Sequence, residues 1–395
     1  MRRADAVSGD LADRVRHRLA TSNAPVTAGA VADAVRAEAG GVIGDTTLLR
    51  TIRVLHQEFV GAGPLEPLLR DPATTDVLVA GAGQAWVDRG RGLRPVLIDL
   101  PDEESVRRLA QRLALAAGRR IDDAQPYVDG WLPDCGASGS VRLHAVLSPI
   151  AADGTCISLR VLRPATHDLD TLCALGTFDR SMAHVLRSLI TARLAFLVVG
   201  NTGSGKTTLL AALLGCVPEE ERIVSVEEAA ELQPGHPHVV RLIARPPNVE
   251  GAGEITLRQL VRQALRMRPD RLVLGEVRGA EVCEMLAALN TGHDGGAGTV
   301  HANSPAEVPA RLEALAALGG LSRDALHSQL SAAVQVVLHM KREPDGRRRL
   351  AAVGVLTRVG ERAQVVPAWH HESGWLPGKG LLADLLKARE VNPPW

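Results

Sequence analysis

The sequence is poor in aromatic residues and carries no net charge. Phenylalanine, tyrosine and tryptophan make up 2% of its 395 residues, so alanine, valine and leucine must fill the core. Lysine and arginine together number 45, as do aspartate and glutamate, and the formal charge is therefore zero. A chain without net charge lacks the overall field that attracts nucleic acid or an anionic membrane. We therefore expect no nucleic-acid partner.

Cysteine pairs and long apolar segments are also missing. The five cysteines are scattered and include no C-x-x-C pair, which argues against a structural zinc site or a disulfide framework and fits a reducing compartment. No stretch approaches the roughly 20 apolar residues that cross a bilayer, and the first residues do not form an apolar signal core. We expect a soluble, cytoplasmic protein that reaches a membrane through partners, without direct insertion.

Hydrophobic periodicity and turn residues divide the sequence into a helical start and two α/β domains. Alanine, valine and leucine recur at helical spacing in 9–20, 26–39 and 44–60, which are predicted as three helices. Beyond them, short alternating strands and one amphipathic helix indicate a smaller mixed α/β domain. The predicted divisions are a helical N-terminal region at 1–58, an α/β domain at 59–165, a linker at 166–175, and an α/β domain with C-terminal helices and short strands at 176–395.

One stretch has the pattern of a phosphate-binding loop. Residues 200–208 match G-x-x-x-x-G-K-[ST], between an apolar run at 194–199 and a run rich in leucine and alanine at 209–214. Glycines let backbone N–H groups approach phosphate oxygens, and a helix that begins at the loop directs its positive end to the same anion. The residues expected to bind ATP are Gly200, Asn201, Thr202, Gly203, Ser204, Gly205, Lys206, Thr207 and Thr208.

Two residues of this loop have specific expected roles. The Lys206 ammonium should reach the β- and γ-phosphates, and the Thr207 hydroxyl should hold Mg²⁺. The chain uses arginine almost throughout, and Lys206 is its only lysine before position 341. A compact ammonium fits inside a phosphate loop where a planar guanidinium does not. The alternative is a chance match in a glycine-rich chain, which the flanking strand and helix disfavour.

Acidic residues follow a predicted strand at 222–226. Glu227, Glu228 and Glu231 come directly after it. In an open α/β sheet, ligands bind at the carboxyl ends of the strands, so these carboxylates are candidate site residues. The alternative is a solvated helix start, where acidic side chains are favourable. The residues alone leave both interpretations open.

The apolar stretch 271–278 is a second predicted strand with a carboxylate near its end. Glu276 is the candidate for polarising the attacking water and for contacting Mg²⁺ through water. The aspartate that usually precedes such a glutamate is absent, and Gly275 takes its place. The alternative, an incidental surface glutamate, is disfavoured by the apolar residues that precede it.

Two histidines and two arginines complete the candidates. His293 and His301 lie on either side of a short predicted strand and could sense the γ-phosphate, or they could have only structural contacts. Arg142 and Arg160 lie on alternating strands of the first α/β domain. They either belong to a solvated strand face or supply positive charge to the γ-phosphate. The residues alone do not decide between these roles.

The order of the motifs resembles the type II and type IV secretion ATPases, and within them the tight-adherence (Tad) pilus-assembly branch. The resemblance to the superfamily rests on the motifs GNTGSGKTT, EEAAE, RMRPDRLVLGEVRG and GHDGGAGTVHANSP. The resemblance to the Tad branch rests also on GAGPLEPLLRDPATTDVLV, GRRIDDAQPYVDG and RPPNVEG. The resemblance implies a RecA-like P-loop ATPase domain preceded by a smaller, PAS-like α/β domain. It also implies a homo-hexameric ring on the cytoplasmic side of an inner-membrane platform.

The resemblance implies roles for individual residues as well. The matched positions are Glu227, Glu228 and Glu231 in the family's Asp box, Glu276 in Walker B, His301 in the His box, and Arg142 and Arg160 for arginines that extend from the N-terminal domain to the nucleotide. Catalytic roles are therefore expected for Lys206, Glu228, Glu276, His301, Arg142 and Arg160. One departure is Glu228, which stands where the family usually has aspartate.

The resulting hypothesis is a cytoplasmic motor that hydrolyses ATP with Mg²⁺ and powers pilus assembly or protein secretion. ATP binding should pull two domains together, and hydrolysis should release them. The motor is expected to act on polytopic inner-membrane platform proteins, and on pilin only indirectly. One alternative is a hexameric nucleic-acid-translocating ATPase, which needs basic or aromatic residues in its pore. Another, a nucleotide-gated scaffold without hydrolysis, is disfavoured by the intact Lys206, Thr207 and Glu276.

Overall fold

The chain divides into two compact units, residues 1–163 and 164–395. Helix α1 (Ala28–Ala39) confirms the helix predicted at 26–39, whereas the helix predicted at 44–60 lies outside the described residues, as does most of the one at 9–20. Across the described ranges, no helix is both long and apolar enough to span a bilayer. The computed structural model describes residues 14, 15, 18, 28–39, 61–90, 92–132, 139–162, 166–248 and 251–395.

The first unit contains an antiparallel sheet with a helix packed on one face. Its elements are α2 (Glu66–Arg70), β1 (Asp76–Ala80), β2 (Ala85–Asp88), β3 (Leu93–Val96), α3 (Glu103–Ala116), β4 (Tyr127–Leu132), β5 (Ser140–Val146) and β6 (Cys156–Leu162). The described strands are ordered β3-β2-β1-β6-β5-β4. Alternate residues of β5 and β6, such as Leu143 and Leu159, are buried with α3 in one apolar core. Arg142 and Arg160 therefore lie on the opposite face of the sheet.

The second unit is a mixed sheet covered by helices on both faces. Its helices are α4 (Leu169–Ala174), α5 (Arg180–Thr191), α6 (Lys206–Leu214), α7 (Leu257–Ala264), α8 (Glu281–Leu289), α9 (Val308–Leu318), α10 (Arg323–Ala333) and α11 (Lys379–Lys387). Its strands are β7 (Phe196–Val199), β8 (Ile223–Glu227), β9 (Val239–Ile243), β10 (Arg271–Val277), β11 (Ala297–Val300), β12 (Val336–Arg342), β13 (Arg348–Val359), β14 (Arg362–His370) and β15 (Gly374–Trp375). The predicted mixed α/β fold class is confirmed.

The sheet of the second unit has a strand near its centre, β7, that is covered on both faces. The described strands are ordered β15-β14-β13-β12-β7-β11-β10-β8-β9, and those from β12 to β9 run parallel. Strand β7 is buried on both faces. Phe196 and Val198 pack with α4, α5, α6 and α11, whereas Leu197 and Val199 pack with α7 to α10. A strand buried on both sides is typical of a parallel α/β sheet.

The stretch 166–175, predicted as a linker, contains helix α4. Asp168 caps this helix by accepting a hydrogen bond from the Thr171 N–H (2.7 Å). Leu169 and Leu172 are buried in the core that α5 and α6 share. Because these two leucines dock the helix, this part of the chain belongs to the second unit, and the linker prediction is wrong there. The other domain boundaries stay predictions.

Candidate functional site

The phosphate-binding loop and the three segments that contain Glu227, Glu276 and His301 meet at one edge of the second sheet. Strands β7, β11, β10 and β8 are neighbours in that order and run parallel. Gly200 follows β7 and His301 follows β11, while Glu276 and Glu227 lie at the carboxyl ends of β10 and β8. This edge of an open α/β sheet is where ligands bind.

The loop between β7 and α6 depends on its glycines. Gly200 has φ +145°, and a Cβ added there would lie 2.1 Å from the backbone oxygen of Met340. Gly205, the residue before α6, has φ +96°. Both conformations strongly disfavour larger side chains. The close contact with β12 at Met340 explains why the loop can turn tightly against the neighbouring strand.

Lys206 is held inside the loop. Its side chain is 7% exposed, and its Nζ donates hydrogen bonds to the backbone oxygens of Gly200 (3.0 Å) and Asn201 (3.1 Å). Burial lowers the pKa of Lys206, while the nearby charge of Glu276 works in the opposite direction. The ammonium is therefore bound by weak, neutral acceptors, which phosphate oxygens can replace with stronger charge-assisted bonds.

Glu276 is directed into the site by an irregularity in strand β10. Leu274 pairs with Gly298 and Val277 pairs with Val300, so β10 has one extra residue at Gly275–Glu276. The Thr299 hydroxyl donates to the Gly275 oxygen (2.6 Å) at this bulge. A bulge turns the side chain next to it away from the regular alternation. The position of Glu276 thus depends on strand register, which the sequence pattern does not display.

The missing aspartate before Glu276 has a packing explanation. A Cβ added at Gly275 would lie 2.7 Å from the Glu227 Cγ. Glu227 lies on the neighbouring strand β8 and is buried. Because its side chain fills the space beside Gly275, no larger residue fits there without a shift.

Glu276 is surrounded by cationic and imidazole groups. Arg278 Nη2 lies 2.6 Å from one of its oxygens, and His301 Nε2 lies 2.5 Å from the other. Burial alone raises the pKa of Glu276, but the hydrogen bond and charge of Arg278, together with the neighbouring His301 and Lys206, outweigh it and hold the pKa below its ordinary value. Glu276 is therefore a carboxylate at neutral pH, able to orient water or accept its proton.

His301 connects the loop lysine to this carboxylate. Its Nδ1 lies 3.5 Å from Lys206 Nζ, while its Nε2 faces Glu276. Burial and the charge of Lys206 lower the pKa of His301 against the pull of Glu276, so the ring is neutral at neutral pH. His293, by contrast, has its Nδ1 3.1 Å from the Ala288 oxygen at the end of α8. The structure thus brings only His301 to the other site residues.

The glutamates after β8 have different environments. Glu227 is 2% exposed and accepts hydrogen bonds from the Ser225 hydroxyl (3.0 Å) and from the backbone N–H groups of Glu231 (3.0 Å) and Leu232 (2.8 Å). Burial raises its pKa, although these hydrogen bonds oppose the shift. Glu228 is exposed. Glu227 thus organises the turn after β8, and Glu228 is the glutamate available to solvent and ligands.

Two arginines at the site were not among the predicted residues. Arg278 bridges Glu228 Oε2 (3.0 Å) and Glu276 Oε2 (2.6 Å) and so joins the two acidic segments. Arg348, on β13, donates from Nε to the Gly203 oxygen (3.1 Å), and it has no carboxylate partner in the described part of the chain. Burial lowers the pKa of Arg348, as does the charge of Arg342. Arginine is so common in this chain that its presence does not mark a site residue. The closeness of Arg278 to Glu276 in sequence could have indicated Arg278, and no sequence feature indicates Arg348.

The loop fits a phosphate ligand with magnesium. Ser204 Oγ is buried and makes no hydrogen bond to any residue that the structure describes. An orphaned hydroxyl in a cradle of backbone N–H groups calls for an oxyanion. Thr207 lies in the first turn of α6, and its hydroxyl and the Glu276 carboxylate are oxygen donors of the kind that Mg²⁺ prefers.

Arg142 and Arg160 are paired with each other across β5 and β6 in the first unit. Arg142 Nε and Nη2 contact the two oxygens of Asp129 (3.0 and 2.6 Å), and its guanidinium lies 5.8 Å from the centre of the Trp131 ring. Arg160 Nε contacts Asp76 Oδ1 (2.8 Å). Each arginine thus has a carboxylate partner within its own unit, and a phosphate would have to compete with that partner.

The sequence of this chain matches a known family and named relatives. Residues 58–366 match the model of the family T2SSE, described as type II/IV secretion system protein. The chain is 63% identical over 349 residues to a putative conjugal transfer protein of Mycobacterium tuberculosis (strain H37Rv), covering 88% of this chain and 99% of the relative. It is 31% identical over 334 residues to the type IV secretion system protein PtlH of Bordetella pertussis, covering 78% of this chain and 93% of that one.

The fold also resembles a solved structure. The crystal structure of the pilus retraction motor PilT with bound ADP superposes with a TM-score of 0.52, covering 74% of this chain and 82% of that one. The two sequences are 21% identical. At this level of identity, the likeness concerns the fold alone.

Proposed function

Because this chain belongs to the type II/IV secretion system protein family, we propose that it is a P-loop ATPase that drives pilus assembly or protein secretion. The observation that carries the proposal is the contact of His301 with both Lys206 and Glu276 at adjacent strand ends. A buried ammonium beside a phosphate-binding loop and a carboxylate that can orient water are groups that P-loop enzymes use for ATP hydrolysis, and the neutral imidazole connects the two. The name of the relative PtlH supports the class of machine.

Each residue of this cluster has a role in the proposed reaction. Lys206 exchanges its two carbonyl acceptors for phosphate oxygens. Thr207, with Glu276 through water, would hold Mg²⁺, which would supply charge neutralisation at the phosphates. Glu276 orients the attacking water and accepts its proton. Glu228 and Arg278 position Glu276 through the ion pairs at the acidic segments. His301 contacts both Lys206 and Glu276, so it responds to loss of the γ-phosphate.

The two units are proposed to close on the nucleotide. Arg142 and Arg160 present adjacent guanidinium groups on the open face of the first sheet. When ATP is bound, these groups exchange Asp129 and Asp76 for the γ-phosphate, and hydrolysis returns them to their carboxylates. The six-stranded antiparallel sheet supports a PAS-like description of the first unit.

The finer assignment is to the Tad pilus-assembly branch, acting as a homo-hexameric ring. Successive closure around the ring would push on polytopic platform proteins of the cytoplasmic membrane, and the motor would move pilin or a secreted protein only through them. The branch-specific segments at residues 61–79, 118–130 and 245–251 support this assignment.

Arg160→Ala separates nucleotide binding from closure. Fluorescent ATP should still bind this variant, because the phosphate loop is intact, while phosphate release falls by about 10²-fold or more. Arg94→Ala, an exposed arginine on β3 of the same sheet, is the control that should keep full turnover. Unchanged turnover in Arg160→Ala would refute domain closure through this residue.

A second experiment distinguishes the secretion motor from a nucleic-acid motor. We expect phosphate release to rise when the platform membrane proteins are added in vesicles, and to be unaffected by single-stranded DNA. Stimulation by DNA alone would support the nucleic-acid alternative instead.

A further inference from the structure

We infer that the second unit contains another ligand site, separate from the phosphate loop, and that it binds a carboxylate. The site is an open cavity of about 330 Å³ between helices α9 and α10 and the first residues of β14. Its volume is at the lower end of the range for ligand pockets, roughly 300–1,000 Å³. Its lining shares no residue with the phosphate loop, Glu276 or His301.

A buried histidine supplies the main polar group of the cavity. His327, on α10, is 4% exposed, and its Nδ1 accepts a hydrogen bond from the backbone N–H of Ala363 (3.1 Å). An imidazole whose Nδ1 accepts a hydrogen bond carries its proton on Nε2. That Nε2 is buried and makes no hydrogen bond to any described residue. The cavity therefore offers a buried N–H donor that calls for an acceptor atom.

The charges beside His327 favour an anionic acceptor. Glu313 Oε2 lies 3.5 Å from His327 Nε2, and its other oxygen lies 3.2 Å from Arg323 Nε. Arg323 therefore neutralises Glu313. Arg362 lines the same cavity and has no carboxylate partner among the residues that the structure describes. Two arginines and one glutamate leave a net charge of +1, which an anion would balance.

The same contacts exclude a metal ion as the ligand. Nε2 carries the proton and has no lone pair to offer a cation, while Nδ1 already accepts from Ala363. The positive charge of Arg323 and Arg362 would also repel a metal. A carboxylate fits both features, since its oxygens accept from Nε2–H and pair with a guanidinium fork.

The rest of the lining indicates a peptide as the source of the carboxylate. Pro309, Ala310 and Val365 are apolar, and the cavity is open to the surface and larger than one carboxylate group. A glutamate side chain with a small apolar neighbour would fill this space, with its carboxylate at His327 and Arg362. We therefore assign the site to a glutamate-containing segment of a protein partner.

Binding can be tested on the full chain without nucleotide. The ring nitrogen signals of His327 in ¹⁵N-histidine-labelled protein would be followed by NMR during titration with acetyl-Ala-Glu-Ala-amide. The neutral control is acetyl-Ala-Gln-Ala-amide, and acetate tests a free acid. We expect a saturable shift of the His327 Nε2 signal with the glutamate peptide and none with the glutamine peptide. Because no ATP is present, the result is independent of the proposed ATPase activity.

A pair of arginine variants tests the charge argument. Arg362→Gln changes an exposed residue and should weaken peptide binding about tenfold, as loss of a charged hydrogen bond does. Arg180→Gln removes the same charge at the exposed start of α5, and binding should be unchanged. Acetate binding as tight as the peptide's would support the carboxylate site and assign it to free acids. Equal responses to both peptides, or no shift at His327, would overturn the proposal.

Discussion

Replacement of Glu227 by alanine should destabilise the second unit far more than the same change at Glu228. Glu227 is buried and binds Ser225 and two backbone N–H groups in the turn after β8. Glu228 is exposed, and its ion pair to Arg278 lies at the surface. The two residues are adjacent and identical in type, so they form a matched pair of substitutions.

The expected magnitudes follow from these contacts. Glu227→Ala leaves one hydroxyl and two N–H groups without their acceptor, and each unsatisfied buried group costs about 1–3 kcal/mol. Relaxation of the turn and relief from burying a carboxylate offset part of this loss, so we expect about 2–4 kcal/mol of destabilisation. Glu228→Ala removes one exposed ion pair and should cost less than about 1 kcal/mol.

Glu227→Gln gives the sign of the electrostatic contribution. Its amide oxygen can still accept from the Glu231 and Leu232 N–H groups, so this variant should fold with near wild-type stability. Burial raises the pKa of Glu227, so the contribution of this one residue to stability is greatest below its ordinary pKa and declines as pH rises through the raised pKa. The stability of wild type relative to Glu227→Gln should therefore fall as pH rises from about 4 to 7.

Hydrogen exchange of the segment 223–232, combined with urea unfolding followed by circular dichroism, measures these differences. The Leu232 amide should exchange faster in Glu227→Ala and at the wild-type rate in Glu228→Ala. Equal exchange and equal unfolding midpoints in the two alanine variants would refute the structural role of Glu227.

Three further predictions concern the loop and its neighbours. Gly200→Ala should abolish binding of fluorescent ATP, because its Cβ would meet the Met340 oxygen at 2.1 Å, whereas Gly235→Ala, where a Cβ meets nothing within 4 Å, should bind normally. Arg348→Met should raise the ATP dissociation constant about 3–10-fold, by loss of a cation that contacts the loop at Gly203, and an unchanged constant would remove it from the site. Because the pKa of His301 is lowered, its stabilising contribution should be lost as pH falls from about 7. Urea unfolding at several pH values should show wild type losing stability relative to His301→Gln as pH falls.

The part of the site that was predictable lies in short, local patterns. The motif at 200–208 and the apolar runs on either side of it predict a strand, a loop and a helix, and the structure has β7 before the loop and α6 beginning within the motif. Glu276 was predicted from an apolar run that ends in a carboxylate, and β10 covers that run. Such features depend on neighbours in sequence, which is why the pattern alone reveals them.

The remaining site features depend on contacts between distant segments. Arg348 reaches Gly203 across 145 positions, and the bulge at Glu276 exists only in the register of β10 against β11. Gly275 reflects the packing of Glu227 from the next strand. None of these contacts leaves a periodic trace in the sequence.

The elements of the fold that were not predicted have different causes. Strands β3 and β9 lie at sheet edges. β3 is largely exposed and β9 has only partly buried and exposed residues, so neither shows a clear alternation of buried and exposed positions. Helix α8 was not predicted, although Val282, Met285 and Leu286 recur at helical spacing and are buried. The pattern was sufficient for α8 and insufficient for the edge strands.

Phosphate release from ATP by the purified full chain in the presence of Mg²⁺ is the most direct test of the proposed motor. Wild type should release phosphate, and Lys206→Ala should reduce the rate to background. Lys387→Ala, an exposed lysine at the end of α11, is the matched control and should keep the wild-type rate. No phosphate release by wild type in any assembly state, or equal rates in wild type and Lys206→Ala, would contradict the account.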